Sequence, residues 1–402
     1  MTLPRSPEVS QVAATFGIIA ATAFGASVYG PLLVPIQAEF DVNFATLSVL
    51  VAVPSLSRVL VTPAAGYLTD RVGPRRLLAI ASLAFALGGL AAAAAPGFWA
   101  LVGAVFASGM AAAFVESASV AHLVRLAPPA ARGRTISRGL TGFQIGMLAS
   151  PVAAGGLAVA LGWRSALVMA AAVAVVGAFI AVALIRDAQP SASAAPESPS
   201  TPGHPVSWRA ITGVLAFGAL LWGGASTLRA VALPLYGGVT LELDPATVGL
   251  VLSLLTGLRA VATFAGGQLM DRYGRLMVVS ATVCMNLLST LVLLLPAHVA
   301  FLGLTAFCYS MGGFGATSPV ILLADRVPAR HAGRGVAALQ ASSGTSALLL
   351  PLAAGALMDA AGIGALALML LPVFVLAILV GAVVARPSGA RPQPSGVAAE
   401  NR

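Results

Sequence analysis

The chain has 402 residues, 58% of them hydrophobic and only 9% charged, with a mean hydropathy of +0.95. A soluble domain of this length cannot hide so much apolar surface, which excludes an ordinary soluble enzyme or binding module and implies an all-α integral membrane protein. The formal net charge of +9 comes from arginine, since the chain has no lysine. Those arginines sit in short turns between apolar runs, which is a membrane-orientation pattern and argues against nucleic acid as a partner.

The opening MTLPRSPEVSQ is polar, longer than the n-region of a signal peptide and followed by no clear cleavage site. The first apolar run therefore reads as a span. Twelve segments are long enough to cross a bilayer as helices. In the first half they run near 12–37, 46–68, 76–95, 98–123, 138–161 and 164–185; in the second, near 210–235, 245–269, 276–295, 299–323, 334–357 and 363–385. They are numbered here as spans 1 to 12. Pro54, Pro63, Pro151 and Pro351 fall inside spans, where neighbouring helices can satisfy the freed backbone groups. Very short turns at Ala95-Pro96-Gly97 and Pro296-Ala297-His298 make the flanking helices antiparallel neighbours.

Residues 186–209 include DAQPSASAAPESPSTPGHP, rich in Ser, Pro and Ala without apolar periodicity. This reads as a solvated linker between a bundle at 1–185 and a bundle at 210–386, with a similar polar tail at 387–402. Cys284 and Cys308 both lie in apolar segments, so no disulfide framework is implied. Arginine placement sets the orientation. With the N-terminus in the cytoplasm, the inside turns hold Arg71, Arg75, Arg76, Arg125, Arg132, Arg134, Arg138, Arg186, Arg209, Arg272, Arg275, Arg326, Arg330, Arg334, Arg386 and Arg391, against Arg164 alone outside. The positive-inside rule then puts both termini and the linker in the cytoplasm.

The two halves are related. RVLVTPAAGYLTDRVGPRR, from Arg58 to Arg76, recurs as RAVATFAGGQLMDRYGR from Arg259 to Arg275, offset by 201 residues. Pro128…Gly133-Arg134 recurs as Pro328…Gly333-Arg334, and Ser150-Pro151-Val-Ala-Ala-Gly155 as Leu350-Pro351-Leu-Ala-Ala-Gly355, both offset by 200. Parallel halves of six helices each are a transporter architecture.

The run Gly66-Tyr-Leu68-Thr-Asp70-Arg71-Val-Gly73-Pro-Arg75-Arg76, between spans 2 and 3, resembles the signature of the major facilitator superfamily. Its weaker copy, Gly267-Gln-Leu269-Met-Asp271-Arg272-Tyr-Gly274-Arg275, stands between spans 8 and 9. The resemblance implies twelve transmembrane helices in two pseudo-symmetric six-helix bundles. It also implies a monomer in the cell's inner membrane, without cofactor or metal, that moves a small-molecule substrate through the lipid bilayer. In that family the signature cluster latches the cytoplasmic side. Independently of the family, Gly66 allows close helix approach, Gly73 a tight turn, and Asp70 can pair with surrounding Arg and meet a helix N-terminus. The alternative is that Arg71, Arg75 and Arg76 are orientation anchors only. Pro151, Gly155, Pro351 and Gly355 are candidates for close packing of spans 5 and 11.

Four charges lie within the spans, where each costs about 2.5–3.5 kcal/mol at mid-helix on an insertion scale and needs a partner or a wet cavity. Arg58 and Arg259 each lie 12 residues before the aspartate of their signature copy, about 18 Å from the turn and near mid-bilayer. Spans 2 and 8 flank the family's central cavity, so this pair could clamp an anion; the alternative is that each ties its span to a neighbour. Glu116 lies in span 4, which lines the cavity in the family. Burial favours the neutral form of a carboxyl group, which suits Glu116 to carry a proton; the alternative is a static ion pair. Arg229 in span 7 joins the cavity candidates, although its stem could snorkel outward. His122 reads as interfacial.

The family's proton-coupled exporters carry a basic residue where this chain has Val105, and a Gly where it has Ser150. There is no phosphate-binding loop ending in Gly-Lys, so an ion gradient or the solute's own gradient is the expected drive. Proton-coupled export is the first expectation, and proton-coupled uptake of a small organic anion the alternative. An intramembrane enzyme would need a clustered polar site, yet His122, His204, His298 and His331 are scattered, so the chain is not read as an enzyme.

Overall fold

The computed structural model describes residues 7–126, 132–186, 208–324, 326–327 and 332–385. The expected linker (apart from residues 186, 208 and 209) and the tail lie outside them, as do the side chains of Asp70 and Asp271. Among the described residues every regular element is helical. Span 1 is α1 (Pro7–Ala26), a 3-10 turn (Gly30–Leu32) and α2 (Leu33–Phe40). Spans 2 to 6 are α3 (Phe44–Val72), α4 (Pro74–Ala93), α5 (Phe98–Leu126), α6 (Arg132–Leu161) and α7 (Trp163–Leu184). Span 7 is α8 (Trp208–Thr227), then π-helical turns Leu228–Ala232 and Tyr236–Thr240 around α9 (Leu233–Leu235). There follow α10 (Pro245–Tyr273), α11 (Arg275–Val292), α12 (Val299–Met311), α13 (Ser318–Ala324), α14 (Ala332–Ala361) and α15 (Gly364–Val384). Among the described residues eleven segments are long and apolar enough to cross a membrane; Val299–Met311 is apolar but shorter.

The turns show why the helices stop where they do. Gly73, Gly162, Gly274 and Gly362 have φ between 78° and 86°, a region open to glycine at little cost. Gly73, Gly162 and Gly274 each make a one-residue turn and Gly362 begins a two-residue one, at matching places in the two halves. Asn43 caps α3 by accepting the Thr46 N–H at 2.9 Å, and Asp244 caps α10 by accepting from Ala246 and Thr247. In span 7, Pro234 lacks an N–H and its ring opposes the carbonyl four residues earlier. The flanking π turns widen the helix around it.

Within the first half α4 packs on α5 and α7, α1 on α6 and α7, and α3 on α5; within the second, α8 packs on α14 and α15, and α11 on α12 and α15. Two seams join the halves, α6 on α10 and α3 on α14. Large apolar side chains such as Phe179, Leu161 and Val383 stand exposed on the outer faces, as lipid contact requires.

Both seams are tightest at the end away from the basic turns. A Cβ on Gly155 would run into the Pro245 carbonyl, one on Gly249 into the Pro151 carbonyl, and one on Gly355 into the Ser48 hydroxyl. These small residues let the backbones touch. Val152 N–H donates to Ser253 Oγ across the first seam at 3.0 Å. In the second, Asp359 of α14 caps α3: Phe44 N–H donates to one carboxylate oxygen at 2.8 Å and Ala45 N–H to the other at 2.9 Å. Toward the basic end the same helices present exposed apolar side chains, among them Leu60, Ile145, Val261 and Val336.

Candidate functional site

A cavity of about 1050 Å³, its mouth included, lies between the halves. Its wall takes residues from α1, α3, α6, α8, α10, α14 and the first π turn. Gly30, Leu33, Pro151 and Leu252 stand on its closed side; Gly30 packs so near Leu252 that a Cβ would lie 2.7 Å from the leucine's methyl. Apolar wall (Leu50, Val51, Pro54, Phe143, Met147) alternates with the hydroxyls of Ser27, Tyr29, Ser55 and Ser226 and with two arginines, Arg58 and Arg229.

Close packing of α3 on α5 places Arg58. Ser57 donates to the Phe106 carbonyl at 2.9 Å, and Gly109 leaves room for it. Below this contact Val61 and Ala65 bury against Ala113. The two helices run parallel, so the Arg58 side chain reaches along the seam to α5. Its Nη2 donates to Oε1 of Glu116 at 2.8 Å. The guanidinium is about half exposed and the carboxylate less so, with side-chain exposures of 49% and 29%.

Arg259, the counterpart of Arg58 in the repeat, is placed differently. It does not line this cavity. Its Nη1 donates to the Tyr309 carbonyl at 2.7 Å, and its guanidinium lies 4.3 Å from the centre of the Tyr309 ring. Sequence explains the divergence. At the offset of 201 that pairs the arginines, Glu116 corresponds to Thr317, and Ala111-Ala112-Ala113-Phe114 to Gly312-Gly313-Phe314-Gly315. The glycine run ends α12 at Met311, which frees carbonyls in its last turn. Arg259, lacking an acid, satisfies one of them. Tight contacts hold the break in place: a Cβ on Gly266 would strike the Phe314 carbonyl, and one on Gly315 the Thr282 hydroxyl.

Arg229 stands on the first π turn and faces the cavity from the second half. Among the described residues it has no carboxylate partner and no hydrogen bond. The structure thus brings Arg58 and Arg229 to one cavity, with Glu116 bonded to Arg58 beside it, and sets Arg259 in a helix-ending role. Sequence reasoning did not single out Asp359, which spans the halves; an acid three residues before a helix-ending glycine was the available signal.

In the signature region, Arg71 donates to the Tyr67 hydroxyl at 3.1 Å and Arg75 to the Val182 carbonyl at 2.6 Å. Arg272 lies over the Tyr273 ring at 5.5 Å. The cluster's acids, Asp70 and Asp271, lie outside the described residues, as do Gly66 and Gly267 beyond their helical backbone. Gly73 and Gly274 are the turns already described. His122 is fully buried in α5. At the far end Arg164 binds Glu39 and the Ala93 and Ala95 carbonyls, which ties α7 to α2 and α4.

The profile of the Major Facilitator Superfamily matches residues 15–321 and again 215–401. The chain belongs to that family. Over 132 residues, 32% of this chain, it is 33% identical to the "Multidrug resistance protein B homolog" of two strains of Mycobacterium tuberculosis, and the match covers 24% of those proteins. Its fold resembles a bacterial homologue of the human lysosomal transporter Spinster (TM-score 0.74, 15% identity, 96% of each chain). It also resembles the nucleoside transporter NupG (TM-score 0.77, 11% identity, 94% of this chain and 100% of that one) and the peptide transporter POT (TM-score 0.73, 15% identity, 94% and 95%).

Proposed function

We propose that the chain is a proton-coupled secondary transporter of a small organic solute. It works by alternating access, rocking two six-helix bundles about the cavity, with α12 and α13 together forming span 10 and so completing twelve passes. The basic end faces the cytoplasm, so the form described here is closed to the outside. One observation carries the coupling: the Arg58–Glu116 pair at the cavity wall. A proton on Glu116 removes the charge that holds Arg58, so solute and proton meet at one ion pair.

The cavity's charge supports uptake as the first reading of direction. Two guanidinium groups line the cavity and the one carboxylate beside it is bonded to Arg58, which favours a solute that takes Arg58 and leaves Glu116 to the proton. Solute and proton then move together, and an inward proton gradient drives uptake. Export is the second reading, supported by the likeness to multidrug resistance homologues over 132 residues. Proteoliposomes given a labelled panel of anionic, neutral and cationic metabolites, under pH gradients of either sign, test the proposal. We expect accumulation when the side facing the solute is acid. Transport indifferent to the gradient would remove the coupling.

A further inference from the structure

We infer that the cavity holds an oxyanion group of its solute at Arg229, with Arg58 as the exchangeable second contact. The inference rests on the transporter reading and names the substrate class for it: a small organic molecule bearing one carboxylate-, sulfonate- or phosphonate-like group.

Three observations carry it. The cavity's polar lining consists of two guanidinium groups and hydroxyls, with no carboxylate among the lining residues. Glu116, the acid beside it, is bonded to Arg58. Arg229 therefore brings a positive charge that no described carboxylate neutralises, in a wall whose other polar groups are hydroxyls and the Arg58 guanidinium. A cation in such a place is costly unless an anion or water attends it.

The local backbone fits the role. Arg229 occupies a π turn next to Pro234, and π turns inside helices are frequent at functional sites. Ser226 lies one turn earlier on the same wall and can add a hydroxyl to the anion. A guanidinium fork grips an oxyanion with two parallel hydrogen bonds; an ammonium cannot accept them, and a neutral carbonyl accepts without balancing the charge. Arg58, on the opposite half, is bonded to Glu116 in this form; on the transporter reading a proton on that carboxylate weakens the bond and the solute's charge takes its place, so anion and proton load together.

The cavity's potential can be read without knowing the solute. In a Cys284→Ser, Cys308→Ser background, Ser226→Cys places a thiol beside Arg229, and Ser55→Cys one beside Arg58. The probes are anionic 2-sulfonatoethyl and cationic 2-(trimethylammonio)ethyl methanethiosulfonate, with rates normalised to a free thiol. The anionic reagent should win by about fivefold or more at Ser226→Cys. Adding Arg229→Gln should collapse the preference, Arg229→Lys should keep most of it, and Glu116→Gln should raise it. If Arg229→Gln does not fold, about 1 M salt should erase the preference in the protein with Arg229 intact. Benzoate, benzenesulfonate or phenylphosphonate should slow the labelling, and benzamide should not; which of the three protects best tells the oxyanions apart. No anionic preference, a preference untouched by both Arg229→Gln and salt, no labelling at either position, or no protection by any of the three acids would overturn the inference. A preserved preference in a protein that moves no solute would instead remove the transporter reading and leave the anion site standing.

Discussion

The arginine repeat was legible in the sequence; the fates of its two members were not, because they depend on which helix lies alongside. Arg58 meets Glu116 since α3 and α5 run parallel and close. Arg259 finds Thr317 where the acid would be and turns to the end of a broken helix. Arg259→Gln should cost about 1.5–3 kcal/mol, the worth of a charge-assisted hydrogen bond, seen as a lower melting temperature with the cavity's reagent preference unchanged. Asp244 offers a pH test outside the spans. The Thr247 hydroxyl, then the Thr247 and Ala246 amides, hold its carboxyl below the usual carboxylate range. Its contribution is therefore full above the ordinary range and fades as pH falls through the lowered value. The melting-temperature gap between the parent and Asp244→Ala should hold near neutrality and close in acid.

At the scale of elements, apolar periodicity gave most spans nearly as they stand. It missed the irregular ones. Hydropathy counts apolar residues and is blind to the ladder of hydrogen bonds, so the π turns around Pro234 and the break after Met311 were invisible to it. The Asp359 cap was equally hidden, since it joins residues 314 and 315 apart in sequence. Removing a side-chain cap costs about 1 kcal/mol, roughly fivefold in an equilibrium. Asp359→Ala should shift the protein toward the form open at that end, read as faster labelling of cysteines placed on the closed side of the cavity. Unchanged labelling would reduce Asp359 to a local cap.

For the whole molecule, the half-chain repeat pairs Gly73 with Gly274, and both stand at one-residue turns; the structure adds an asymmetry between ends. Glycine contacts clamp the seams at one end, and the helices present exposed apolar faces toward the other. Alternating access requires that clamp to open in every cycle. Joining the two halves there, through Ala45→Cys and Asp359→Cys in the Cys284→Ser, Cys308→Ser background with a short bis-methanethiosulfonate that forms a disulfide with each cysteine as its sulfinates leave, should abolish transport, and reducing those disulfides should restore it. Transport that survives the link would mean the solute does not pass between the halves.

The most direct test of the account is proton movement driven by solute. Proteoliposomes carrying an internal pH dye, with no imposed gradient, are given an anionic solute found to be transported. The account predicts that the interior turns acid as the anion enters, and that Glu116→Gln abolishes this proton entry. An interior that turns alkaline as the anion enters, or acidification that is unchanged in Glu116→Gln, would contradict it.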